Sequence, residues 1–243
     1  MKKLVFTLIL LVILAGVGFW GYNAVLNHQI NVNHWFVGGL TRGVDVSAYQ
    51  GEISMSRLKE QGIEFVYAKA TEGSSYVDPN FAKNFAAAEA AGLPAGAYHF
   101  FSYESSGAAQ AENFIAAVGS LEGRLIPVVD MELSKEQKAK APEKSEVVSA
   151  LRTFLAVIEE EYKVKPMIYA TKDYYEKYLK DDFSSYPRWV RSVYWPVYIE
   201  AGGDWLVWQY DDHGLLDGYK GEEKYIDMNV INGNFGLDSL KMK

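Results

Sequence analysis

From Thr41 onward the chain repeats one pattern: a short apolar run of β-type residues, then a stretch whose apolar side chains recur at helical spacing. That alternation constrains the fold more than any other feature. Parallel strands need crossover connections long enough to hold a helix, so the pattern predicts β/α units around a largely parallel sheet. The candidate strands are residues 43–47, 64–70, 95–101, 125–132, 166–171, 188–193, 205–210 and 225–230. The candidate helices are residues 54–61, 78–91, 105–118, 145–162 and 174–179. Residues 78–91 open with Asp78-Pro79 and stop at Gly92, a matched start and stop pair. Residues 145–162 carry Val147, Val148, Leu151, Phe154, Leu155 and Ile158 along one face. After the sixth strand the links shorten and gain Pro and Gly, leaving little room for full crossover helices. The expected architecture is a barrel that begins as β/α repeats and closes with a few strands on shorter links.

The first forty residues read differently. Met1-Lys2-Lys3 is followed by an apolar run from Leu4 to Trp20, and no Asp, Glu, Lys or Arg occurs between Leu4 and Thr41. Lysines ahead of such a run stay cytoplasmic, which sends the rest of the chain outward. The run exceeds the usual signal-peptide core, and Tyr22 sits badly for cleavage after Ala24. An uncleaved membrane anchor is therefore expected over residues 1–22, with a cleaved signal peptide as the alternative. Residues 23–40 are expected to form a tether, or to pack on the domain or at the membrane interface. Residues 41–243 are expected to form the catalytic barrel, and either reading of the N-terminus places it outside the cytoplasm.

A formal net charge of -7 argues against nucleic acid as a partner. Cysteine is absent, which removes disulfides, thiolate nucleophiles and thiolate metal ligands. His28, His34, His99 and His213 are scattered and nothing resembles a zinc motif, so neither a metal nor a cofactor is expected in catalysis. No nucleophile elbow, P-loop or dinucleotide fingerprint occurs either. His99 lies in an apolar strand, where a packed core histidine is the expectation.

The sharpest local feature is Leu125-Ile126-Pro127-Val128-Val129-Asp130-Met131-Glu132, an apolar strand that ends in two acids. Residues i and i+2 of a strand share a face, so Asp130 and Glu132 project together, about 6–7 Å apart. Two carboxyls so placed in a poorly solvated cleft repel, which raises the pKa of one and makes a general acid. In β/α barrels the C-terminal strand ends carry the chemistry. Glycoside hydrolysis needs a proton donor for the leaving oxygen and an anionic group near the developing positive charge. Taken alone the pair also suits a loop start or a hard-cation site. Asp45 and Asp227 sit in comparable strands; if these also face inward, four carboxylates converge on one mouth.

The segments GVDVSAYQG, FVYAKATEG with YVDPNF, AAGLPAGAYHFF, PVVDMEL, MIYA, RWVR, WLVWQY and IDMNVINGN occur in this order over nearly all of residues 41–234. Together they resemble the glycoside hydrolase family 25 muramidases, the Chalaropsis-type lysozymes. The resemblance implies an α/β fold: an irregular TIM-like barrel of five β/α units followed by three β-strands. It implies hydrolysis, with retention, of the β-1,4 bond between N-acetylmuramic acid and N-acetylglucosamine in peptidoglycan. Glu132 then corresponds to the general acid/base. Asp130 corresponds to the group that orients or polarises the substrate N-acetyl group, or to a nucleophile. Asp45 and Asp227 become further cleft acids, and Tyr98, Tyr169, Arg191, Trp208 and Gln209 line the sugar groove. Tyr49 replaces the Trp of many members. The expected partners are the peptidoglycan glycan strand and, through the N-terminal helix, a membrane, with the protein a monomer. An inert glycan-binding relative and another N-acetylhexosamine glycosidase are the alternatives.

Overall fold

The computed structural model describes residues 2–133, 137–138 and 140–242. Its main sheet runs β1 (Arg42–Val46), β11 (Ile226–Ile231), β9 (Val207–Gly214), β8 (Arg188–Arg191), β7 (Met167–Thr171), β6 (Val128–Asp130), β5 (Ala95–Phe100), β3 (Phe65–Glu72) and β4 (Tyr76–Val77). β4 pairs only with β3, and β1 pairs with β3 as well as β11, so the other eight strands close into a barrel. Neighbours are parallel from β1 through β3 and on to β9; β11 alone runs antiparallel to both of its neighbours. A small second sheet pairs β2 (Glu52–Ile53) with β10 (Tyr219–Lys220).

The crossovers are α2 (Met55–Glu60), α3 (Phe81–Ala90), α4 (Gly107–Val118), α5 (Lys144–Tyr162) and a composite segment over residues 172–183. The five-plus-three expectation therefore holds. The last crossover departs from it locally: its middle, Tyr175–Leu179, is a π-helix between two short α-helical pieces. β6 is shorter than the apolar run that encodes it. Pro127 has no N–H to give a ladder, and the Ile126 N–H bonds to the Leu240 carbonyl, outside the barrel strands. Residues 134–136 and 139, within the lysine-rich stretch after Glu132, lie outside the described residues.

Side chains alternate across the barrel wall with period two. Outward residues such as Val44, Ala68, Ala97, Val129, Ile168 and Val190 pack under the helices. Inward residues Phe65, Tyr67, Val128, Met167, Trp189 and Val207 fill the barrel floor with Leu125, Ile126 and Leu240. Two glycines make room for the largest rings. Gly43 faces Phe65 and Gly96 faces Tyr67 across the ladder, and a Cβ at either position would fall within 2.3 Å or 2.2 Å of the ring. The floor is closed, and the cleft opens at the opposite end of the barrel.

The N-terminal helix α1 (Lys2–Leu26) is apolar and exposed along most of its length, but Ala24 and Val25 are buried. It ends in a left-handed residue, His28, and the chain then lies on the barrel. Asn33 is fully buried there, its amide donating to the Ser192 and Tyr210 carbonyls at 3.0 and 2.9 Å.

Candidate active site

The strand ends place the acids. β1 carries Asp45 and β11 carries Asp227, and the two are register partners on adjacent antiparallel strands. β6 ends at Asp130, paired in register with Phe100 on one side and Tyr169 on the other. Met131 is buried under the helices, and Glu132 returns to the cleft. Asp45, Asp130, Glu132 and Asp227 line one cleft of about 300 Å³ together with Tyr49, Lys69, Tyr98, Tyr169, Trp189, Asp212 and Tyr225.

Burial is the main cause of every carboxyl shift here. It pushes Asp45 up to about 7, against hydrogen bonds from Asn229, Asp227 and Gln209 that favour the charged form. Asp130 and Asp227 are held well above the usual carboxylate range by burial and by the charges of the neighbouring acids. Glu132 is also raised by burial, but Arg191, Lys138 and Lys69 oppose the rise. Like charges in one poorly solvated space cannot all ionise, so the cleft retains protons near neutral pH. Among the described residues no donor reaches the buried Asp130 Oδ1, which is open to a donor from a ligand.

Cations and amides hold this cluster in place. Lys69 Nζ pairs with Glu72 at 2.6 Å and lies 4.8 Å over the Phe100 ring. Arg191 is fixed by Asp212 at 2.6 Å. Asn229 donates to Asp45 Oδ2 at 2.7 Å, and Trp189 Nε1 donates to Asn229 Oδ1 at 2.9 Å. Tyr169 donates to Gln209 Oε1 at 2.7 Å, leaving the Gln209 amide to face Asp45 at 3.5 Å. Burial keeps the Tyr98 and Tyr169 phenols far above their ordinary pKa, so both remain hydroxyls.

Eight of the nine residues singled out from sequence thus face this cleft or contact its acids. Trp208 does not, and its expected place in the groove is corrected. It neighbours Gln209 on β9, and adjacent strand residues face opposite ways. Gln209 points inward, so Trp208 packs fully buried under the helices, beside Trp205 and Tyr210, with Nε1 donating to the Ser192 carbonyl at 2.8 Å. His99 is core, as expected: it is fully buried between Thr71 and Gln110, stacked on Phe154, and burial lowers its pKa to about 4. Sequence reasoning missed Lys69, Trp189, Asp212 and Asn229. Period-two spacing would have found two of them, because Trp189 precedes Arg191 and Asn229 follows Asp227 by two positions each.

The family model described as Glycosyl hydrolases family 25 matches residues 44–219, a span that includes Asp45, Asp130 and Glu132. The chain belongs to glycosyl hydrolase family 25. It is 33% identical to the uncharacterized protein YegX of Escherichia coli K12, over 88% of this chain and 77% of that one. It is 32% identical to Lysozyme M1 of Streptomyces globisporus, over 79% and 68%. Among solved structures, a family 25 glycosyl hydrolase from Bacillus anthracis superposes with a TM-score of 0.74 at 41% identity, covering 79% of this chain and 89% of that one. A lysozyme from Streptomyces coelicolor gives 0.74 at 30%, covering 84% and 96%. The family 25 match ends at Tyr219, short of Asp227, so that acid's place in the cleft rests on its pairing with Asp45.

Proposed function

We propose that this family 25 enzyme is a muramidase that cuts the β-1,4 bond between N-acetylmuramic acid and N-acetylglucosamine, with Glu132 as the acid/base. The observation that carries the reading is the convergence of Asp45, Asp130, Glu132 and Asp227 in one cleft at the strand ends. Glu132 suits proton transfer because burial keeps its proton while Arg191 and Lys69 stabilise the anion left behind. It gives that proton to the leaving 4-oxygen of N-acetylglucosamine as the glycosidic bond breaks. Asp130 or the substrate's own 2-acetamido oxygen bonds to the anomeric carbon from the opposite face, and water that gives its proton to Glu132 then displaces it, so two inversions retain the configuration. Asp130 lies beside it with an unpartnered buried oxygen, placed to accept from the 2-acetamido N–H or to meet the anomeric carbon. Asp45 accepts from the Asn229 amide and hydrogen-bonds Asp227, so one proton between the two carboxyls leaves one anion near the developing positive charge. The exposed ring of Tyr49 on the cleft wall offers a stacking surface for a sugar.

The test is a digest of purified peptidoglycan, reduced with borohydride and read by mass spectrometry. New reducing ends at N-acetylmuramic acid, absent with Glu132→Gln, are expected. Reducing ends at N-acetylglucosamine would assign a different glycosidase, and binding without cleavage an inert glycan-binding module.

The same reading places the enzyme outside the cytoplasm on an uncleaved anchor, working as a monomer because one chain builds the whole cleft. Residues Phe6–Leu26 form a helix of mean hydropathy 2.0, long enough to cross a bilayer. Lys3 precedes it, Ala24 and Val25 near its end are buried, and Tyr22 stacks on Trp195 of the barrel. Retention in the membrane fraction after carbonate extraction is expected; release of a shortened protein would show cleavage.

A further inference from the structure

Three of the four histidines gather where the segment leaving α1 crosses β9. His34 pairs with Asp211 at 2.9 Å. His28 and His213 both face the next residue, Asp212, although His28 is remote from it in sequence. We propose that His28, Asp212 and His213 form a binding site for one divalent transition-metal ion of the zinc class, at the rim of the catalytic cleft.

The distances fit such an ion. Asp212 Oδ1 lies 2.8 Å from His213 Nδ1 and 3.4 Å from His28 Nδ1. The three ligand atoms all fall within 4.8 Å of one another. An ion bound at about 2.0–2.1 Å by nitrogen and oxygen sets tetrahedral ligand atoms about 3.3 Å apart, within the spread of these three. The two imidazoles stack at 3.8 Å with an interplanar angle of 22°, and their ring centres must part to about 5 Å for both Nδ1 atoms to meet one tetrahedral ion.

Each ligand is also oriented from behind, as ligands of metal sites are. His28 Nε2 meets the Tyr194 hydroxyl at 3.2 Å. Asp212 Oδ2 is held by Arg191 at 2.6 Å, leaving Oδ1 for the ion. The His213 ring packs on Tyr225 at 4.5 Å, and its backbone N–H donates to Asp211 Oδ1. His28 adopts a left-handed backbone (φ 54), an unfavourable conformation for a residue with a side chain, and its imidazole points into this group as a result. Two imidazoles and one carboxylate select zinc, cobalt, nickel or copper over magnesium and calcium, which prefer oxygen throughout. The side chains are 17%, 18% and 39% exposed, so an ion can enter and keep a water ligand.

A metal here ties the exit of the membrane-directed helix to the strand end that positions Arg191, and so fixes the cleft relative to its anchor. Asp212 lines the cleft with the four acids, but the binding test does not depend on glycan cleavage. Untagged full-length chain in detergent micelles is stripped with chelator, dialysed against zinc and assayed for bound metal; cobalt serves as the optical probe. One equivalent of zinc per chain is expected, with visible d–d absorption for the cobalt form. His28→Ala and His213→Ala should each weaken zinc binding by about 10–100-fold or more while melting as the parent does. His34→Ala, paired with Asp211 outside the cluster, should bind as the parent does. A parent chain that retains no stoichiometric zinc overturns the proposal, as does a loss in His34→Ala equal to that in His28→Ala.

Discussion

Trp189 donates its indole N–H to Asn229 Oδ1 at 2.9 Å, and this bond decides which way the Asn229 amide faces. With Oδ1 committed, Nδ2 must point at Asp45, which it reaches at 2.7 Å. It is the largest favourable contact of the Asp45 anion, set against burial that lifts the carboxyl to about 7. Replacing Asn229 by Ala should raise that pKa further. If the cleft works with Asp45 ionised, the acidic limb of kcat/KM against pH moves to higher pH in Asn229→Ala. A limb that stays in place would separate Asp45 from the ionisation that limits turnover.

The raised acids also set how stability depends on pH. An unfolded Asp releases its proton near about 3.9, whereas folded Asp45 holds it until about 7. Between those values the native state binds more protons, so stability falls as pH rises. Asp130, Glu132 and Asp227 shift in the same direction. Glu52, Asp181 and Asp238 are lowered by lysine partners and work the other way, but they are exposed and screened; buried His99, held at about 4, also works the other way, one group against four raised acids. The melting temperature should therefore be higher at pH 4.5 than at pH 8, and Asp45→Asn should gain most at pH 8. A parent melting temperature that rises over that interval would contradict the burial argument.

Trp208 and Trp189 separate packing from function. Trp208→Phe removes the bond to the Ser192 carbonyl and part of a buried ring, a loss of about 1–3 kcal/mol, without touching the cleft. Its KM for glycan should match the parent's. Trp189→Phe loses the donor that orients Asn229, so its pH profile should follow that of Asn229→Ala. Steady-state kinetics beside thermal melts distinguish the two; a raised KM in Trp208→Phe would return that residue to the groove.

Most of the barrel was legible because strand and helix periods differ, and the acids stood out where apolar runs such as 125–129 end in charge. What stayed hidden depends on facing. WLVWQY places Trp208 and Gln209 side by side, and only the register of β9 against β8 and β11 decides which enters the barrel. Asn229 and Trp189 read as ordinary strand residues until the fold brings them together. The π-helical turn at Tyr175–Leu179 has no local signature in its apolar spacing. His28 and His213 appear unrelated in sequence because their contact depends on how the segment after α1 lies across β9.

Glu132 and Asp130 differ in what surrounds them, and their variants should differ accordingly. Glu132 has Arg191 and Lys69 opposing its raised pKa, so it can both give and regain a proton. Glu132→Gln keeps size and polarity but has no proton to donate, and kcat should fall about 10²–10⁴-fold with little change in glycan affinity. Added azide or formate can restore turnover only if the lost function is proton transfer or nucleophilic attack, and the product then tells the two apart. Asp130 has one buried oxygen without a partner, so Asp130→Asn puts either an oxygen or an amide there. If that oxygen accepts the 2-acetamido N–H, Asp130→Asn should lose turnover on N-acetylated glycan while a substrate lacking the acetyl group reacts equally poorly with parent and variant. An Asp130→Asn enzyme that discriminates the two substrates as strongly as the parent would remove Asp130 from acetamido recognition and leave it the nucleophile's role, which trapping of a covalent glycosyl adduct on the parent would reveal.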